Sequence, residues 1–536
     1  MSAAGESVSA TTCASATPDV RARRNALTVD VVVVAALVVA GVIARRDGLP
    51  FDGLWYDDAW VAAGASKASP SELLTVSTTH PGFTGLLMAW IRLVSDRSEL
   101  MAWPALLVGI ATPPIAYLIL VRLGFERVLA IAVSGLVVVA PAHVQYSGRV
   151  KSYVLETLAI LGLAVLVSWL ARRSWSWTTV GLWLLGAVLV GTLSSFTMLA
   201  TAIAGLTLLA HPTGDRWRRL VAVGLQGVVQ AGYFVVVQRS FDSDRLAADW
   251  ESVYDGYIEL DLGPVAILKQ VVEHVSRVGD ALVAGPPALT IGVVVLATLG
   301  LVVASVVGPR AAMSRFLLAL LGVGFLGSLA RVLPFGASNE LLLSPGSRAT
   351  LWLFPSLLVG SALTADLAMR SLRRRKWPIV PAQLVLLAVV GVLFLRSTNV
   401  AVPYPLSGAR SAHEYILDNL DPDDPVVMFG SGVFAYAVEP GVPVDAVPAP
   451  ESPNSFRPKI TDPRVWLLGH PSWDGTVASM AAHIGDADRL IVHNGLRGFG
   501  DAQLPALEEA LSALGFEPTV RRIMGDSVGV DLWEQV

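Results

Sequence analysis

Two adjacent carboxylates, Asp57 and Asp58, stand in the run Phe51-Asp-Gly-Leu-Trp-Tyr-Asp-Asp-Ala-Trp60, just past the first apolar stretch of the chain. A carboxylate held among aromatics can take the proton of an attacking hydroxyl, which is general-base chemistry. Ionised side chains near a bilayer are costly, so a pair placed there calls for a reason. The plainer reading is a solvated loop end, because Asp is favoured at a helix N-cap and an Ala-rich run follows.

A second charged group lies in Pro141-Ala-His-Val-Gln-Tyr-Ser-Gly-Arg-Val-Lys-Ser-Tyr-Val-Leu-Glu156, where His143, Arg149, Lys151 and Glu156 crowd the junction of two apolar runs. Arg149 and Lys151 could simply reach lipid headgroups along their apolar stems. Cations on an outer face run against the usual loop bias, however, and an anionic partner explains them better. With Tyr146 and Tyr153 beside them, they suit a phosphate at headgroup depth. Arg348, in Ser344-Pro-Gly-Ser-Arg348 at the mouth of a later run, is a third such cation, or else the local partner of Glu340. His80 and His143 read either as substrate contacts or as packing residues. The acids Asp242, Asp244, Asp249, Glu251 and Asp255 show no metal-ligand spacing. No motif assigns metal ligands, and a divalent cation is the one candidate cofactor. Cys13 is the only cysteine, so a disulfide framework is excluded.

The elements that must position these residues follow from composition. Of 536 residues 54% are hydrophobic and 15% charged, with a mean hydropathy of +0.60. Soluble proteins carry about 25% charged residues, so this composition is that of a membrane protein. Residues 1–25 are rich in Ala, Ser and Thr and read as a disordered cytoplasmic tail. Ala26 to Ala44 is long enough to span a bilayer, and further spans are expected near 100–121, 126–143, 151–171, 176–193, 195–211, 219–238, 286–307, 315–333, 347–369 and 378–396. The segment 81–94 is short for a span. Treating it as an interfacial amphipathic helix leaves about 11 spans and puts the basic loops, from Arg21–Arg24 to Arg370–Lys376, on one side. The DDAW loop, the turn around residues 143–152, the loop of residues 239–286 and the loop of residues 334–347 then share the outer face. From about residue 401 strands alternate with helices, which predicts a small extracytoplasmic α/β domain over 401–536.

With those motifs in place, the chain resembles the GT-C glycosyltransferases, and within them the branch of protein O-mannosyltransferases and aminoarabinose transferases. The resemblance rests on the outer loop Trp55-Tyr-Asp-Asp-Ala-Trp60, on His80-Pro-Gly-Phe83 opening an amphipathic helix, and on Ser98-Glu-Leu100 before a span. Tyr146-Ser-Gly-Arg-Val-Lys-Ser-Tyr153 occupies the place of a Tyr-Ser-x-Glu-x-Arg-x-Tyr pattern, and Arg348 with Pro355 is similar to a later Arg…Pro span. Two positions depart from the pattern: Arg149 stands where an acid is usual, and Asp58 replaces a commoner Glu. The Ala-, Val-, Arg- and Gly-rich composition is of an actinobacterial, high-GC kind.

What the resemblance implies is a mainly α, polytopic enzyme of the plasma membrane, working on its outer face. It would move a hexosyl or pentosyl unit from a polyprenyl-phosphate donor to an envelope glycan, lipid or protein, with no nucleic-acid partner. Asp57 matches the family's base, with Asp58 as acceptor binder or second candidate; Lys151, Arg149 and Arg348 would hold the donor phosphate. A single displacement would invert the anomeric centre. The alternative class is a lipid or polysaccharide transporter, which tends to carry internal repeats and helices interrupted at the midplane. Here the ionisable residues gather at the outer face instead.

Overall fold

A computed structural model describes residues 20–74, 79–211, 216–237, 255–306, 308–337, 348–399, 408–429, 432–439, 441–449, 452–468, 477–494, 504–524 and 528–536. Among them, seven helices are long and apolar enough to cross a membrane, or eight if one bent pair counts as a single span. The first is α1 (Val20–Arg45), whose opening turn takes in Arg21, Arg23 and Arg24. Next come α2 (Tyr56–Lys67), which carries Asp57 and Asp58, and α3 (Pro81–Leu93), started by a proline that needs no N–H partner. One face of α3 buries Phe83, Leu87 and Ile91 and the other leaves Leu86 and Leu93 exposed, which is the two-sided character expected of the short 81–94 segment.

The bundle continues through α4 (Trp103–Arg122), α5 (Arg127–Val139), α6 (Pro141–Ser147), α7 (Tyr153–Leu170), α8 (Trp177–Gly191), α9 (Ser195–Leu209) and α10 (Arg216–Val236). Helices α5 and α6 are the bent pair, turned by 57° at Ala140-Pro141. Pro141 cannot donate into the preceding turn, which breaks the run there. After α11 (Pro264–Asp280) come α12 (Pro287–Val306), α13 (Ala311–Leu329), α14 (Phe354–Arg374) and α15 (Ile379–Asn399). The expected spans at 176–193, 195–211 and 378–396 are present as shorter apolar helices. The chain is thus a multi-pass membrane protein. Ion pairs tie the ends that carry the basic loops: Arg127 to Asp30 at 2.8 Å, Arg310 and Arg370 to Asp366 at 2.7 and 2.8 Å, and Arg373 to Glu126.

Beyond the bundle lies an α/β unit. Its five-stranded sheet has the order β4-β1-β5-β7-β6, from β1 (Val426–Phe429), β4 (Val465–Leu468), β5 (Arg489–Asn494), β6 (Phe516–Met524) and β7 (Val528–Gln535). The strands β4, β1 and β5 run parallel, whereas β5–β7 and β7–β6 are antiparallel. Helices α16 (Ala409–Asn419) and α17 (Gly432–Ala437) serve one layer, and α18 (Val477–Ile484) and α19 (Leu504–Ala513) the other. A separate hairpin, β2 (Val444–Ala449) with β3 (Ser452–Ile460), leans on α2.

Candidate active site

The site is built where α2 meets the link between α6 and α7. That link, residues 148–152, is brought in by a glycine: a Cβ on Gly148 would lie 1.8 Å from the carbonyl oxygen of Gly48. Only a residue without a side chain fits there, and this contact fixes where Arg149 and Lys151 emerge.

Asp58 is wholly buried, and its Oδ2 accepts a 2.6 Å hydrogen bond from Nε of Arg149, itself 2% exposed. The guanidinium rests over the Trp55 ring, 4.5 Å from its centroid. A planar cation between a carboxylate and an indole face is held in both charge and orientation. Asp57, one residue earlier and turned to another side of the helix, is 29% exposed; its Oδ1 accepts from Nζ of Lys151 at 2.9 Å. Arg149 also stands 4.0 Å from Oδ2 of Asp57. The four residues selected by type alone therefore form one cluster, with a buried pair beneath a half-open pair.

Tyr146 and Tyr153 flank the same link and meet edge to face at 5.1 Å, bracing it on both sides. Glu156 is buried one turn into α7, where its Oε1 accepts from the Ser152 hydroxyl at 2.7 Å. Arg348 opens a 3₁₀ helix (Arg348–Leu353) that packs on α6 and α7 and receives the Thr157 hydroxyl on the Leu351 carbonyl at 3.1 Å. Its side chain and Glu340 lie outside the described residues.

The two histidines serve the scaffold. His143 is fully buried with its Nδ1 2.9 Å from Nη2 of Arg45. Arg45 also donates to the Ser147 hydroxyl and to the carbonyls of Gly41 and Val137, so it staples α1 to the bent pair. His80 accepts the Ser195 backbone N–H on Nε2 at 3.0 Å and, as the tautomer this requires, donates from Nδ1 to the Tyr233 hydroxyl at 3.0 Å. It thereby satisfies one of the open N–H groups at the start of α9. Burial pushes its imidazole down to about 4, so it is neutral at pH 7.

Two residues of this construction were passed over in the sequence reading. Trp55 lies inside the DDAW run, but only the fold reveals that Arg149 covers it. Arg45 carried a legible signal: it is a cation at the end of the first apolar run, opposite the end that carries Arg21, Arg23 and Arg24. Among the described residues no three His, Cys, Asp or Glu side chains gather as a metal site would require. A divalent ion at Asp57 would have to displace Lys151.

No protein-family model matches the chain, and no curated sequence does. Solved structures do. The apo crystal structure of ArnT from Cupriavidus metallidurans superposes at a TM-score of 0.54 and 12% identity, over 95% of this chain and 98% of that one. ArnT from the same organism bound to undecaprenyl phosphate gives 0.45 at 14% identity over 94% and 97%; the apo Archaeoglobus fulgidus oligosaccharyltransferase gives 0.44 at 12% over 76% and 63%. The first shows that the chain shares the overall fold of that structure, a helical bundle followed by an α/β unit.

Proposed function

We propose that this chain is a GT-C glycosyltransferase that moves a sugar from a polyprenyl-phosphate donor to an envelope glycan, lipid or protein on the outer face of the plasma membrane. The observation that carries the reading is the half-open Asp57–Lys151 pair seated on the buried Asp58–Arg149 pair. The four charges cancel, so the cluster is stable as it stands. Only its upper pair can be opened by a substrate without stranding a buried charge.

In this reading the donor phosphate takes up Lys151, with Arg348 as a second cation, and Asp57 is released to face the acceptor hydroxyl. Asp57 accepts the hydroxyl proton as the acceptor oxygen bonds to the anomeric carbon. The bond from that carbon to the phosphate oxygen breaks, and the polyprenyl phosphate leaves with the electron pair. Attack from the face opposite the phosphate inverts the centre. The leaving group needs its charge stabilised more than it needs an acid, which suits fixed cations. Arg149 is committed to Asp58 and Trp55, so it serves the phosphate by placing Lys151 two residues on. Tyr146 and Tyr153 hold the link rigid during the exchange.

The topology belongs to the same proposal. The seven long apolar helices, the bent pair and the three shorter ones supply about 11 spans within 26–400. Residues 1–25 and the loop at Arg373–Lys376 then lie in the cytoplasm, and 401–536 outside. The test is a transfer assay in membranes with radiolabelled polyprenyl-phosphate sugars. Label moving into envelope material, dependent on Asp57, is the expected result. A panel of such donors that yields no transfer with the parent, while the intact protein moves unmodified lipid across vesicles, overturns the reading in favour of transport.

A further inference from the structure

The α/β domain is bolted to the element that carries the carboxylates. Asp52, five residues ahead of Asp57 in the chain, accepts from the Ser411 backbone N–H at 3.0 Å and the Ser411 hydroxyl at 2.7 Å. Its own carbonyl accepts the Gly408 N–H at 2.8 Å. Gly53 follows at φ 89°, with the Arg410 backbone N only 2.9 Å from where a Cβ would be. Arg410 pairs with Glu99 and, at 2.9 Å, with Glu414. The Ser98 hydroxyl, wholly buried, donates to Oε1 of Glu439 at 2.8 Å. At the far end of α2, Lys67 donates to the Val442 carbonyl at 3.5 Å. Between these bonds α17 packs directly on α2, as do β2 and β3.

Both ends of a 12-residue helix are thus held by the α/β domain, through partly buried polar contacts around one fully buried pair, Ser98–Glu439. A loosely tethered domain would not need a buried carboxyl and hydroxyl at its seam, because each must be satisfied or it costs stability. We infer that the α/β domain is a positioning clamp for α2: Asp52 and Glu439 act as positioning residues that set the orientation of Asp57 for turnover without touching the donor. The inference deepens the proposed transfer reaction and rests on it for its kinetic part; the structural part stands alone.

The seam also has a built-in pH sense. Burial pushes the Glu439 carboxyl up to about 7, and Asp52 and Glu99 nearby oppose its ionisation while Arg410 partly offsets them. Other charged groups around it are Glu414, held by Arg410, and Lys67, held by the Val442 carbonyl. An undocked Glu439 would titrate near 4.3. Docking is therefore strongest below that range and weakens as pH rises towards 7, above which the full cost of a buried anion is present.

The experiment is hydrogen–deuterium exchange of residues 56–67 in the full chain, alongside transfer kinetics, for Asp52→Ala, Glu439→Gln and Glu439→Arg. Glu439→Arg sets a cation against Arg410 and should open the seam. The α2 amides should exchange at least tenfold faster in that variant, and kcat should fall at least tenfold with donor affinity within twofold of the parent. Asp52→Ala should move both readouts in the same direction. Glu439→Gln keeps the Ser98 bond, so it should keep kcat and lose the pH dependence of α2 exchange between about pH 4.5 and 7. Unchanged α2 exchange in a folded Glu439→Arg protein overturns the clamp, as does a loss of donor binding in step with kcat. Faster exchange with no transfer in any variant, the parent included, leaves the clamp standing and overturns the transferase reading instead.

Discussion

Replacing Asp57 by Asn separates chemistry from stability at one position. The amide keeps shape and polarity but cannot accept the acceptor proton. A positioned general base contributes about 10²–10⁴ in rate, so transfer should fall by that factor, about 2.7–5.5 kcal/mol of barrier. The fold should hardly notice. Asp57 is 29% exposed and Lys151 10%, so the pair is partly open to solvent and its loss should cost less than that of the fully buried pair below it. Asp58→Asn is the control with the opposite signature. Asp58 and Arg149 are 0% and 2% exposed, and removing one partner of a buried pair costs about 3–5 kcal/mol. The Asn oxygen can still accept from Nε, which places the loss near 3 kcal/mol, or roughly 6–12 °C of melting temperature at 2–4 °C per kcal/mol. The assay pairs transfer of radiolabelled sugar in membranes with thermal unfolding of the solubilised protein. An Asp57→Asn protein that transfers at the parent rate, beside an Asp58→Asn protein that is dead with an unshifted melt, would exchange the two roles.

Lys151→Ala should weaken donor binding more than Lys151→Arg, because a charge-assisted bond contributes about 1.5–3 kcal/mol; equal binding of donor lipid by both would reduce Lys151 to a headgroup anchor. His493 is fully buried in the α/β domain, and burial drives it down to about 4. Its neutral form is the folded one, so stability is complete above about 6.5 and is lost as pH falls towards 4. His493→Leu should therefore raise the melting temperature at pH 5 more than at pH 8; a smaller gain at pH 5 than at pH 8 refutes that sign. Single cysteines at 375 and 420, in the chain freed of Cys13, should differ towards an impermeant maleimide on intact cells. Labelling at 375 but not at 420 inverts the topology and moves the site to the cytoplasm.

Much of this arrangement could be read in advance because the signals were local. Apolar run lengths foretold the helices, and Pro141 at the bend is a one-residue rule. The short runs Val426–Phe429, Val465–Leu468 and Leu490–Val492 are continuously apolar, and they form the parallel core of the sheet. Where two periodicities overlap or a breaker intrudes, the reading failed. Helix α11 lies in what looked like a polar loop: its apolar residues Val265, Leu268 and Val272 recur at helical spacing, diluted by Lys269, Glu273, Arg277 and Asp280. The β2–β3 hairpin carries Pro448 and Pro458 inside its strands, and proline argues against strand unless the position is an edge.

The departure at position 149 shows why partners are harder to read than types. A turn that usually carries an acid carries Arg149 instead, which from sequence put any mechanism needing an acid there in doubt. The fold resolves it by exchange across the site. Asp58, on α2, supplies the negative charge there, and Arg149 is its buried counter-ion, 91 positions away in the chain. Residue types at a site report what charge is present, but not which charges have already been spent on one another. Once Arg149 and Asp58 are taken together as neutral, the working charges reduce to Asp57 and Lys151. Those two lie at the edge of the cluster where solvent reaches them, and a substrate phosphate competing for Lys151 is also what would unmask Asp57. Donor engagement and base activation then become one event, so an acceptor arriving first meets a carboxylate already occupied.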